Sequence, residues 1–304
     1  MLQELQFAFG ITGPILFLLV LGYVLKNTGA IDDSFVKQAN WLIFNIALPT
    51  LLFFAISAKD ITQSFDLPFI AAGVLGTLLL VGMLLVMSKR VPKHQRGVFI
   101  QGCYRGNKGI VAVALSVAAY GEAVLPVLGV YIAIVTTLYN VIAVWVLNSK
   151  DVLKRIITNP IIIGIVLGSL ASLAKLSLPE VAKSTGAYLA AMTLPIALIC
   201  VGANLKLASL RTHTTLVSMA TLIKLVLSPA LIVAMGWAFG VRGDLLVVLF
   251  FLSAAPTASA SYVMARAMTN SGELAAEIIA ATTIVSVISI TIGMAALRTL
   301  ENLS

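Results

Sequence analysis

Gln101-Gly102-Cys103-Tyr104-Arg105-Gly106-Asn107-Lys108-Gly109 lies inside a segment, residues 98–119, that is otherwise apolar. Two cations, two amides and three glycines stand where a membrane-spanning helix should be greasy. A charge at the bilayer centre costs roughly 2.5 to 3.5 kcal/mol even on lenient insertion scales. Arg105 is ten residues in from Gln95, roughly 15 Å at about 1.5 Å per residue, or half the hydrocarbon thickness. Two glycines flank Asn107 and Lys108 and weaken the helix there. The stretch reads as a broken helix whose free backbone groups and cations line a cavity rather than lipid. A short interfacial loop is the plainer alternative.

The rest of the chain supports the membrane reading. Of 304 residues, 60% are hydrophobic and only 11% charged, which no soluble domain of this length needs. Apolar spans recur at about residues 7–25, 35–57, 67–88, 98–119, a fifth ending near 147, a sixth from about 156, then 182–205, 212–239, 245–268 and 274–297. The expectation is an all-α polytopic membrane protein with ten transmembrane helices. No basic cluster and cleavage site opens the chain, so no removable signal peptide is expected. Cys103 and Cys200 each sit in apolar surroundings and read as buried thiols. No metal site, cofactor or nucleophile–base pair is expected, and the net charge of +8 does not point to nucleic acid.

A repeat emerges at a constant shift of 146 residues. Pro14 falls on Pro160, Pro49 on Pro195 and Gly22 on Gly168, although the chain has only ten prolines. At that shift Asn107 falls on Ser253, inside the interrupted ninth span Ser253-Ala254-Ala255-Pro256-Thr257-Ala258-Ser259. Residues 1–149 and 150–304 are thus expected to form two five-helix repeats. An odd number of spans makes the second inverted, with the interrupted fourth and ninth spans in corresponding places. Another interruption is expected at residues 45–49, and Asn159-Pro160 lies in the sixth span, opening the second half. With both termini outside the cytoplasm, twelve Lys and Arg fall on the inner side and five on the outer, as the positive-inside rule requires.

The motifs Asn45-Ile46-Ala47-Leu48-Pro49, Arg105-Gly106-Asn107, Asn159-Pro160, Lys224 with Ser228-Pro229, and Ser253-Ala254-Ala255-Pro256 together resemble the auxin efflux carrier family, of the bacterial permease type. The resemblance covers nearly the whole chain. It implies crossing fourth and ninth helices at mid-membrane and elevator-type alternating access. It also implies a scaffold of spans 1, 2, 6 and 7, a mobile unit of spans 3–5 and 8–10, and transport of organic anions such as malonate or malate. The setting is a cell inner membrane. The lack of a long cytosolic loop departs from many plant members of the family, and Lys108 stands where relatives commonly have an apolar or aromatic residue.

The substrate-binding candidates are Arg105, Gly106, Asn107, Lys108, Ser253, Pro256, Thr257, Ser259, Asn45 and Lys224. Arg105 suits an anion contact and an internal brace equally, since a guanidinium has five donors. Lys108 begins the second half-helix, a positive terminus where an ammonium is favourable only beside an anion. Lys224 reads better as a brace for the Ser228-Pro229 distortion. Asn107, Ser253, Thr257 and Ser259 would orient a carboxylate, and Asn45 would face it from the other unit. His94 and His213 read as solvated, and Glu122, Asp66, Glu273 and Glu277 as span ends. Without a central acid, uniport or efflux is expected rather than ion coupling. A sodium-coupled importer and a non-transporting anion receptor remain open. The partners expected are a small organic anion and the lipid bilayer, with a homodimer left open.

Overall fold

The computed structural model describes residues 2–58, 65–147, 158–205 and 213–301. Lys59, Lys150, Lys154, Arg155, Lys206 and Arg211, which enter the charge comparison, lie outside the described residues. The described chain is helical, with one isolated bridge, Gly106 to Thr257, and no strand among the described residues. In order, the helices are α1 (Leu2–Asn27), α2 (Asp33–Ser57), α3 (Leu67–Met87), α4 (Lys93–Tyr104) and α5 (Val113–Tyr120). They continue with α6 (Leu125–Val146), α7 (Pro160–Leu173), α8 (Glu180–Ala203), α9 (Thr214–Ala238), α10 (Asp244–Ala254), α11 (Ala260–Met268) and α12 (Gly272–Glu301). Seven of these, α1, α2, α3, α6, α8, α9 and α12, are long and apolar enough to cross a membrane. Shorter apolar helices occur at Lys108–Tyr120, Pro160–Leu173 and Asp244–Ala254. This is a multi-pass membrane architecture.

Proline chemistry accounts for several local features. In α2 and α9, π-turns at Ile43–Ala47 and Ile223–Leu227 end two residues before Pro49 and Pro229. Proline offers no N–H, and its ring crowds the carbonyl four residues back. The wider turn relieves that crowding without ending the helix. The interruption expected at residues 45–49 is therefore a widened turn in a continuous helix. Asn159-Pro160 starts α7. Asn159 Oδ1 accepts from the N–H groups of Ile161 (3.0 Å) and Ile162 (3.4 Å), and Pro160 takes the first helical position, where no N–H is missed. Asp32 and Asp66 cap α2 and α3 in the same manner.

Packing separates the helices by their partners. α1 lies along α8, and α2 along α7. At both contacts glycine lets the backbones meet. A Cβ on Gly164 or Gly168 would stand 2.6 or 2.8 Å from the carbonyl oxygens of Pro49 and Phe53, and one on Gly22 or Gly202 would overlap those of Ile199 and Leu19. α9 packs on α3 and α10, and α12 bridges to α1, where Thr12 and Thr291 share a 2.8 Å hydroxyl–hydroxyl hydrogen bond. The two broken segments meet within this second group of helices.

Candidate functional site

α4 ends at Tyr104 and α10 at Ala254, both fully inside the protein. Between Tyr104 and Lys108 the chain is non-helical, with Gly106 N–H bonded to the Tyr104 carbonyl and Lys108 N–H to that of Gly106, and residues 255–259 are likewise non-helical. The two breaks run antiparallel. The Asn107 N–H donates to the Pro256 carbonyl (2.7 Å) and the Ala258 N–H to the Arg105 carbonyl (2.9 Å), around the Gly106–Thr257 bridge. Each break thus satisfies polar groups that the other exposes, which water would have to do elsewhere. Because the pairing is antiparallel, the separation falls from 153 residues at Arg105–Ala258 to 149 at Asn107–Pro256, so residues that face each other follow no single shift.

The cations are buried around this bridge. Arg105 turns to α6, donating through Nη2 to Asn140 Oδ1 (2.9 Å) and through Nη1 to the Tyr139 carbonyl (3.3 Å). Tyr104 Oη donates to the same carbonyl (3.1 Å). Lys108, first residue of the π-turn Lys108–Ala112, also faces α6. Its Nζ is 3.3 Å from Tyr131 Oη and 5.1 and 5.0 Å from the ring centres of Tyr131 and Tyr139. Lys224, fully buried in its π-turn, donates to the Ser253 carbonyl at 2.6 Å. It braces the end of α10, not the Ser228-Pro229 turn of its own helix. The described ion pairs are Lys26–Asp33, Lys183–Glu180 and His213–Glu277, so neither Lys108 nor Lys224 has a carboxylate partner among the described residues.

The neutral candidates divide. Thr257 is buried, its Oγ1 donating to the Gly102 carbonyl (2.7 Å) and its N–H to Thr282 Oγ1 (3.1 Å). Ser253 Oγ bonds back to the Leu249 and Phe250 carbonyls. The Asn107 side chain makes no hydrogen bond among the described residues, and Ser259, half-buried at the start of α11, leaves its hydroxyl out of the cap. Gly106 admits the Lys224 side chain: a Cβ there would lie 3.1 Å from Nζ. Asn45 is not brought to the crossing by any described contact; it is exposed and bonds its own helix at Trp41. Glu277, expected at a span end, is buried, and its Oε2 accepts from the His213 N–H (3.1 Å) with Nδ1 at 3.4 Å. His213 is correspondingly engaged rather than solvated. Tyr131, Tyr139, Asn140 and Thr282 complete the site without having been anticipated; aromatics on an apolar helix give no signal beyond core packing.

Two cavities lead toward the crossing. One of about 300 Å³ opens between α1, α2, α5 and α8, with Ile15, Leu51, Val117, Leu194 and Glu122 in its wall. A second, about 20 Å³, is bounded by Ile15, Val111, Leu115, Pro256 and Ile290, room for about one water. Ile15 belongs to both, and Pro256 belongs to the bridge.

Comparison with known proteins agrees with this architecture. The profile of a family described as membrane transport protein matches residues 10–149 and 144–294. An uncharacterized transporter of Methanothermobacter thermautotrophicus is 22% identical over 284 residues, covering 91% of this chain and 94% of its own. An uncharacterized transporter of Methanocaldococcus jannaschii is 24% identical over 270 residues, with 82% and 86% covered. Both relatives are archaeal, where the resemblance had pointed to bacterial permeases.

Proposed function

Because the chain belongs to the auxin efflux carrier family of membrane transport proteins, a family of transporters and not of enzymes, we propose that it is a secondary transporter of small organic anions, carboxylates of the malonate or malate class. The observation that carries this is the pair of lysine side chains buried at the crossing. Lys108 and Lys224 lie within the protein, held by a hydroxyl, ring faces and a carbonyl, with no carboxylate paired to them among the described residues. Burying an uncompensated cation costs several kcal/mol, roughly. An anion entering beside them would offset that cost, and the unbonded side chain of Asn107 and hydroxyl of Ser259 are available to orient it.

The movement we propose is an elevator with both termini outside a cell's inner membrane. α1, α2, α7 and α8 would be the fixed frame and the other helices the moving unit. Ten spans in two inverted repeats, residues 1–149 and 150–304, are supported by an equivalence of contacts. Gly22 meets Ile199 and Gly168 meets Phe53; Gly22 and Gly168 are 146 residues apart, as are Phe53 and Ile199. The 300 Å³ cavity lies where frame and moving unit would meet. In that orientation it opens outward, because α5 and Glu122 lie at the outer end. Efflux of a monovalent anion would draw about 2.3 kcal/mol from an inside-negative potential of 100 mV.

The test is uptake of labelled malonate into proteoliposomes under imposed potentials, alongside a thermal-shift panel of mono- and dicarboxylates. Potential-dependent uptake and saturable stabilisation by a carboxylate are the expected results. If no carboxylate either stabilises the protein or crosses the membrane, the proposal is wrong.

A further inference from the structure

We propose that the Lys224 ammonium is a built-in cation filling the place where a dissociable coupling ion such as sodium would bind, so that the crossing needs no metal ion. The position is the argument. α10 stops inside the protein, so its last carbonyls lack intrahelical donors. The Phe251 carbonyl is taken by the Ala255 N–H, and the Ser253 carbonyl receives Lys224 Nζ. Half-helix C-termini with unwound carbonyls carry partial negative charge and are where membrane transporters coordinate sodium. Here a tethered ammonium, which seeks the same oxygens, stands in that spot.

Both breaks enclose it. A Cβ on Gly106 would lie 3.1 Å from Lys224 Nζ, 3.4 Å from Cε and 3.1 Å from the Ala255 carbonyl oxygen. The ammonium, the Ala255 carbonyl and the first break therefore surround one small volume. A metal ion added there would face Lys224 itself, with Lys108 two residues beyond Gly106 and no carboxylate paired to either among the described residues. The π-turn Ile223–Leu227, imposed by Pro229, puts Lys224 inside this otherwise long apolar helix.

This inference rests on the transport reading only for its consequence, that movement is uncoupled from sodium; the occupancy itself is tested separately. The melting temperature of purified wild-type protein is measured in sodium chloride, choline chloride and methylammonium chloride at equal ionic strength, and the same series is run on Lys224→Ala and Lys224→Ser. Wild type should melt alike in all three salts. Each variant should gain a saturable upward shift in sodium or methylammonium that choline, too large for the vacated space, does not give. A saturable sodium shift in wild type overturns the inference, as do folded variants indifferent to both small cations. If neither variant folds, the wild-type series decides alone. Malonate binding, followed on the same wild-type sample, reports on the transport reading: its absence would remove that reading and leave the cation result standing.

Discussion

Arg105 and Lys108 are three residues apart and carry the same charge, yet the structure assigns them opposite behaviour on replacement by glutamine. Arg105 sends two charge-assisted hydrogen bonds into α6, at 2.9 Å to Asn140 Oδ1 and 3.3 Å to the Tyr139 carbonyl. Bonds of this kind contribute about 1.5–3 kcal/mol each, the longer one at the low end, so Arg105→Gln should cost roughly 3–5 kcal/mol and leave Asn140 unsatisfied. Lys108 makes one 3.3 Å contact to a neutral hydroxyl and sits over two rings. Cation–π attraction of about 2 kcal/mol is set against an ammonium desolvation cost of several kcal/mol. Lys108→Gln should therefore leave the melting temperature unchanged or raise it. Its effect belongs in binding: losing a charge-assisted contact, about 1.5–3 kcal/mol, weakens a carboxylate by roughly 10- to 150-fold. Melting curves of both variants, with and without a malonate titration, separate the two roles. Normal malonate affinity together with a collapsed melting temperature for Lys108→Gln would refute the reasoning and make Lys108 structural.

Three further outcomes are expected. Gly202→Val should abolish folded protein, because its Cβ would overlap the Leu19 carbonyl, whereas Gly82→Ala, with open space around it, should melt as wild type does. Cysteines placed at Lys93 and Lys183, in a background lacking Cys103 and Cys200, should react with an impermeant reagent from opposite faces of the membrane; labelling of both from one face would contradict the inverted arrangement. A disulfide between cysteines at Thr12 and Thr291, whose hydroxyls are 2.8 Å apart, should stop malonate transport while retaining malonate binding, and undiminished transport with the link closed would rule out an elevator.

The break at residues 105–107 is legible because polar residues and glycine interrupt an apolar span at one point; residues 255–259 have no glycine, and Pro256, Thr257 and Ser259 carry the signal there. What the residues concealed was register. Antiparallel pairing sets Asn107 against Pro256 and Arg105 against Ala258, and a constant shift between repeats does not encode which residues face each other. Asn45 looked like a site residue because it is polar in an apolar span, but a helical asparagine can satisfy itself on the carbonyl four residues back, and it does so at Trp41. Glu277 was placed at a span end by its distance from the start of α12. Its burial follows from α9 beginning against that turn, with His213 supplying the N–H, a tertiary fact that no local pattern encodes.

The bridge between the breaks is made of main chain on both sides: Asn107 N–H to Pro256 carbonyl and Ala258 N–H to Arg105 carbonyl. Any residue except proline offers the same N–H at 107 and 258. The main-chain pairing of the crossing is therefore insensitive to most side-chain changes at 107 and 258. Side chains at 107, 108 and 259 can drift, exchange charge or lose it while the backbone pairing keeps its shape, whereas Arg105 is tied to α6. Such a chain could change what it recognises by single substitutions, without passing through an unfolded ancestor.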